Sequence, residues 1–184
     1  IINQEDSYDS MRVHSVNYYY KNKPLLKPKM LSRINYIKPG EIYSEQLIKQ
    51  TYDRISNLKV FSSVNIQLDP VDSNTVDCNV NLTASDIQGF EVGLEASINS
   101  NSLLGISPKV SYFHKNLFRG AEIFSINLMG DFQFGFKNNK RATEFGVSTS
   151  LSLPTFIFLP DRIFKSHNIP RTEFVLSYNY QTRP

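Results

Sequence analysis

Few residues in this 184-residue chain are placed to do covalent or metal chemistry. The three histidines, His14, His114 and His167, fall in different elements and far apart in sequence. A metal site needs three or four clustered donors, so each imidazole reads as a surface or loop residue. Glu91 and Glu95 share one face of a strand, an arrangement that could exchange protons. No histidine or nucleophile accompanies them, and they read as a solvated row. Cys78 is the single cysteine, so it forms no intramolecular disulfide and does not fix a redox compartment. There is no glycine-rich phosphate loop, no metal-ligand spacing and no Gly-x-Ser-x-Gly elbow. These absences point away from an enzyme and imply no cofactor. Aromatic side chains meet basic charge only at Tyr18-Tyr19-Tyr20 beside Lys21, Lys23, Lys27 and Lys29. Net charge is only +3 and the remaining cations are scattered. The tyrosines read as strand filler, and no nucleic-acid partner is expected.

The information lies instead in alternation. Over residues 122–136, one row holds Phe124, Ile126, Leu128, Gly130, Phe132, Phe134 and Phe136. The interleaved row holds Ile123, Ser125, Asn127, Met129, Asp131, Gln133 and Gly135. Successive side chains point to opposite faces of a strand, so this segment is apolar on one side and largely polar on the other. It also exceeds the roughly 5–6 residues usual for a strand of a soluble domain, and matches the roughly 9–11 needed to cross a bilayer. The pattern recurs. Phe90, Val92, Leu94, Ala96 and Ile98 alternate with Glu91, Gly93, Glu95 and Ser97. The segment 107–115 is a poorer strand, with Val110 and Tyr112 opposite Lys109 and Ser111. Phe145, Val147 and Leu151 alternate with Glu144, Gly146 and Ser148. Thr172, Phe174, Leu176, Tyr178 and Tyr180 alternate with Glu173, Val175, Ser177, Asn179 and Gln181. Breaks such as Ser100-Asn101-Ser102 and Lys137-Asn138-Asn139-Lys140 separate them, giving a meander of five long amphipathic strands.

Apolar residues make up 40% of the chain and charged residues 20%, which excludes disordered and collagen-like classes. No run approaches 18 apolar residues, so no transmembrane helix is expected. Strands carry too weak a hydropathy signal for that to bear on a β-barrel. Residues 1–6 have neither a charged nor an apolar leader region, which places any export signal outside this sequence.

Residues 11–85 have different physics. Residues 12–20 are β-branched and aromatic, hence a strand. Pro28 suits the first turn of a helix over 28–35, and Pro39-Gly40 marks a turn. Ser44 is an N-cap with Glu45 behind it, and Leu47, Ile48, Thr51, Ile55 and Leu58 form one face of a second helix. Val64, Ile66 and Leu68, then Val76, Cys78, Val80 and Leu82, alternate across a hairpin turned at 69–74. The order strand, helix, helix, strand, strand predicts two helices over one face of a three-stranded sheet, with a core of Val13, Leu31, Ile34, Leu47, Ile48, Ile55, Leu58, Phe61, Val64, Ile66, Val76, Cys78 and Val80.

These residues resemble a known family. The stretch Ile37-Lys38-Pro39-Gly40-Glu41-Ile42-Tyr43-Ser44, followed by Leu58-Lys59-Val60-Phe61-Ser62-Ser63-Val64-Asn65-Ile66, resembles a POTRA domain, the periplasmic module of outer-membrane assembly factors. Asn116-Leu117-Phe118-Arg119-Gly120-Ala121-Glu122 resembles the hairpin joining early barrel strands in BamA- and TamA-like proteins. Pro170-Arg171-Thr172 and residues 178–184 fit the family's Bacteroidetes-type branch. The resemblance implies an N-terminal segment over 1–10, a POTRA domain over 11–85, and over 86–184 about five strands of a sixteen-stranded transmembrane β-barrel. The fold class so implied is an α+β POTRA domain followed by antiparallel barrel strands.

The resemblance further implies an assembly factor of the outer membrane, its POTRA domain in the periplasm, which inserts β-barrel proteins. Its partners would be unfolded outer-membrane β-barrel clients, accessory assembly proteins and the lipid bilayer. Client binding falls to the edge strand Ser63, Val64, Asn65, Ile66, Gln67 and Leu68, whose free backbone groups can pair with an extended segment. The barrel seam falls to Gly89, Phe90, Glu91, Val92, Gly93, Leu94 and Glu95. Phe124, Ile126, Leu128, Phe132 and Phe134 face lipid. Two other readings stay open: a two-partner secretion transporter with POTRA domains, and a soluble α+β binding module whose meander packs on a second sheet. Residues 153–159, with Pro154, read as a lipid-facing strand end, an aromatic girdle or a buried loop.

Overall fold

The computed structural model describes residues 8–98, 103–135, 141–155 and 171–182. The breaks at 100–102 and 137–140, and Phe136, His167, Pro170, Arg183 and Pro184, lie outside the described residues.

The chain opens with a hairpin, β1 (Asp9–Val13) against β2 (Val16–Tyr20). His14 and Ser15 join them, both in the left-handed region at φ 46° and 69°. Positive φ at both central residues is the turn geometry that matches strand twist. Helix α1 (Pro28–Ile34) starts on its proline, and α2 (Glu45–Ser56) starts on Ser44, whose side chain accepts from Leu47 N–H at 3.4 Å. A second hairpin follows, β3 (Phe61–Asp72) with β4 (Thr75–Ala84). Then come β5 (Gln88–Ile98), β6 (Leu103–Lys115), β7 (Ile123–Gly135), β8 (Arg141–Leu153) and β9 (Thr172–Thr182). They form one antiparallel sheet in chain order.

The core is small and lies around the helices. Leu26, Met30, Leu31 and Ile34 meet Ile55, Leu58 and Val60, with Phe61, Val64 and Val80 packed alongside. Thr51 is fully buried, and its hydroxyl accepts from Tyr36 N–H at 3.1 Å, so the group is not left unpaired. Ala121, from the turn between β6 and β7, completes this core.

The expected fold class, a POTRA domain followed by transmembrane barrel strands, is corrected by these pairings. The segment expected as one strand over 12–20 lies within a hairpin that turns at His14 and Ser15, so β1 and β2 satisfy each other's hydrogen bonds. Among the described residues β3 and β4 likewise pair only with each other, and no three-stranded sheet lies there for the two helices to cover. In the larger sheet every connection joins neighbouring strands, which leaves β5 and β9 at opposite edges and the sheet open. With nine strands and two helices among the described residues, the chain is a small β-rich domain of antiparallel sheets.

Candidate functional site

Antiparallel register decides which side chains share a face, because directly opposed residues project the same way. Across the five-stranded sheet, Phe90, Tyr112, Ile126, Thr149 and Leu176 form one such line. The next line is Val92, Val110, Leu128, Val147 and Tyr178. Phe145 with Tyr180, and Ile106 with Phe132, continue it toward the far end. The result is one apolar face shared by five strands. Nothing among the described residues covers it: Phe90 and Val92 are each 77% exposed, and Leu176 78%. A shallow groove of about 500 Å³ runs along it between Phe90, Val110, Tyr112, Ile126 and Leu128.

The opposite face is a polar network. Lys109 Nζ donates to Glu95 Oε1 at 2.9 Å. Asp131 accepts from Ser107 at 3.1 Å and from Gln133 at 2.7 Å, and the Ser125 and Ser150 hydroxyls meet at 2.7 Å. Gln181 reaches Glu144 at 3.4 Å. Phe113, Ile123, Met129 and Val175 interrupt this face, and the Phe113 ring lies where a Cβ on Gly89 would stand, 2.7 Å from that position. Glycine at 89 is what lets the aromatic side chain cover the neighbouring backbone.

Phe124 to Phe134 spans ten residue steps of β7, about 33 Å along the strand at about 3.3 Å each, a length that exceeds a hydrocarbon slab of roughly 25 Å. Aliphatic residues (Val92, Val110, Leu128, Val147) hold the middle. Aromatic residues stand toward both ends, Phe124 and Phe174 at one and Phe132 and Phe134 at the other.

The turn between β6 and β7 ties this sheet to the helices. Asn116 (φ 72°) is buried; its Nδ2 donates to Leu25 O at 2.7 Å and its Oδ1 accepts from Ala121 N–H at 3.0 Å. Arg119 donates to Pro24 O at 2.6 Å, and its own carbonyl accepts from Lys27 N–H at 2.9 Å. Glu122 Oε2 accepts from the N–H groups of Phe118 and Gly120, at 3.1 and 3.0 Å. Ser85 N–H donates to Val60 O at 2.9 Å, and Arg171 to Asn57 O at 3.2 Å. The stretch 116–122, expected as a plain hairpin turn, is thus a clasp between sheet and helices. Its sequence signal was the asparagine, which tolerates the left-handed region better than most residues.

The expected site residues separate into three places. Phe124, Ile126, Leu128, Phe132 and Phe134 all fall on the uncovered face of the central strand β7. Gly89, Phe90, Glu91, Val92, Gly93, Leu94 and Glu95 lie in β5, an edge strand paired with β6 alone. Phe90, Val92 and Leu94 point to the apolar face and Glu91 and Glu95 to the polar one. Ser63, Val64, Asn65, Ile66, Gln67 and Leu68 lie in β3, whose pairing is with β4 alone. Val64 packs on the core while Ser63, Asn65 and Gln67 are exposed. Beyond this ladder, Asp69 accepts from Gln67 and Asn79, each at 2.9 Å.

His14 sits in the first turn and His114 beside Phe124 on the sheet. Cys78 faces the helix side of β4, where burial pushes its thiol pKa up. Burial also raises the Tyr18 phenol, a shift that its hydrogen bond with Asn35 partly offsets. Leu153 ends β8 and Pro154 is buried, while 156–159 lie outside the described residues. No group of three or more metal-ligating side chains occurs among the described residues, and no helix there is long and apolar enough to cross a membrane.

No protein-family model matches the chain, and no curated protein matches it. The resemblance to BamA- and TamA-like proteins rests on the residues quoted for it.

Proposed function

We propose that this chain works at an outer membrane, where its five-stranded sheet lays its apolar face against lipid hydrocarbon and its open edge receives strands of unfolded β-barrel clients. One observation carries the reading: a continuous apolar face over five strands of 11 to 13 residues, uncovered and backed by a polar network. A soluble protein rarely exposes a contiguous apolar patch beyond a few hundred Å². A membrane supplies the missing partner for such a face.

The edge follows from the same physics. Backbone N–H and C=O groups that enter hydrocarbon unpaired cost several kcal/mol each, on the order of a buried unsatisfied amide. β5 pairs with β6 through an unbroken register from Gln88 to Ile98, so its outer edge is straight and presents alternate donors and acceptors. An incoming client strand satisfies these groups and gains the same pairing itself. The polar alternates Glu91 and Ser97 then stay in water while Val92 and Leu94 extend the lipid face. Insertion is driven by apolar burial and backbone pairing, so no nucleotide or nucleophile is needed.

The test is site-specific photocrosslinking from β5 during client insertion into outer-membrane-derived vesicles. A photoreactive residue at Val92 should capture the client, whereas one at Asn127, in the middle of the sheet's polar face, should not. Capture from neither position, or equal capture from both, would remove the edge from the function.

A further inference from the structure

The end of the sheet next to the helices carries an excess of positive charge. Lys23 and Lys27 bracket the Pro24 to Leu26 stretch that the clasp grips, and Arg119 projects from the clasp itself. Arg171 precedes β9 and bonds to Asn57 O. Lys59 adjoins the start of β5, because its carbonyl accepts from the Ser85 hydroxyl at 3.1 Å. Lys115 ends β6 there, its ammonium 5.2 Å from the Phe113 ring centroid. Among the described residues the carboxylates flanking the strands at this end are Asp86, Glu122 and Glu173, and that of Glu122 is occupied by two N–H groups within the turn. At the tip of the same turn Leu117 and Phe118 are exposed, Phe118 by 57%.

We propose that this basic waist binds the phosphate groups of anionic phospholipid headgroups. The proposal rests on the membrane reading above and goes beyond it by naming a lipid class. Its argument is continuity. A sheet whose apolar rows sit in hydrocarbon puts the residues immediately beyond those rows at headgroup level. There, cations meet phosphates while Leu117 and Phe118 enter the boundary, the pairing of basic and apolar residues used by interfacial anchors. Attraction to an anionic leaflet strengthens binding by about fivefold per Lys or Arg near the surface, and salt weakens it within a Debye length.

The experiment is flotation of the full chain with vesicles of phosphatidylcholine alone, or of phosphatidylcholine containing phosphatidylglycerol, at low and high salt. Two double variants of equal charge are compared: Lys23→Gln with Lys27→Gln, and Lys38→Gln with Lys49→Gln away from the waist. The wild type should favour the anionic vesicles. The waist variant should lose roughly thirtyfold of that preference, from about fivefold per cation, while the second variant keeps it. Equal wild-type binding to both vesicles overturns the headgroup site and leaves the membrane reading standing. Equal losses in both variants also overturn it, because net charge alone then accounts for the preference. Binding to neither vesicle overturns the membrane reading and the headgroup site with it.

Discussion

Leu128 is the position at which lipid and water make the most different demands. It lies mid-strand in β7, flanked on the same face by Val110 and Val147, and it is 40% exposed. Leu128→Ala removes its packing on those two valines whatever covers the face. Full burial of a leucine contributes about 1.5–3 kcal/mol, so a partly covered one loses on the order of 1 kcal/mol. Leu128→Arg loses the same packing and also places a guanidinium at the level of the slab's middle. Near a bilayer midplane that adds about 2–4 kcal/mol, roughly thirtyfold to almost a thousandfold in the folded-to-unfolded ratio. In water the added term is within about 0.5 kcal/mol, as for other surface substitutions. Asn127→Arg is the matched control, since its side chain lies between Ser111 and Ser148 on the polar face. Urea titration of the protein in lipid vesicles measures all three. The account requires Leu128→Arg to exceed both Leu128→Ala and Asn127→Arg by at least about 2 kcal/mol. Equal costs for Leu128→Arg and Leu128→Ala would refute the assignment of this face to lipid.

Two further outcomes follow from the clasp and the buried groups. Asn116→Ala loses the bonds to Leu25 O and Ala121 N–H and puts alanine in the left-handed region, so thermal unfolding should show a loss of about 1–3 kcal/mol, whereas Asn101→Ala, in a stretch read from sequence as a polar break, should be near neutral. With its thiol pKa raised by burial, Cys78 holds less thiolate at neutral pH than a free cysteine, so maleimide should label it more slowly in the folded chain than after denaturation. The same shift has a sign for stability: the unfolded thiol ionises first, so the thiol's contribution is complete below the ordinary thiol pKa and is lost as pH rises through the folded value.

The elements that sequence made legible are those whose local signals agree with their tertiary setting. Pro28 and Ser44 start the two helices where their chemistry demands, and alternation marks the long strands, most weakly in β6, where 107–115 is a poorer strand by pattern. The turn at His14 and Ser15 was not legible, because neither residue is a strong marker of positive φ. Reading through that turn as one strand put a three-stranded sheet where two separate hairpins stand. Closure of the larger sheet was equally invisible, since alternation is the same in an open sheet and a closed one. Core membership followed periodicity for Leu31, Ile34, Ile55 and Leu58 but missed Met30 within α1, and Leu26, Val60 and Ala121, which lie in connections without a period. Val76 was expected inside and is 47% exposed, because it opens β4 at the end of the hairpin away from the helices. At the candidate surface, the apolar row of β7 was readable residue by residue. The clasp was not, because its partners Pro24 and Leu25 are about 90 residues away in sequence.

The most direct test of the central claim is the solvent exposure of each face once the chain is in a bilayer. Single cysteines placed at Val92, Val110, Leu128 and Val147, and at Glu91, Ser111, Asn127 and Ser148, in a Cys78→Ser background, would carry nitroxide labels. The account predicts that the first set is relaxed by oxygen dissolved in the hydrocarbon and the second by a water-soluble nickel reagent. The same reagent reaching both sets equally would contradict it.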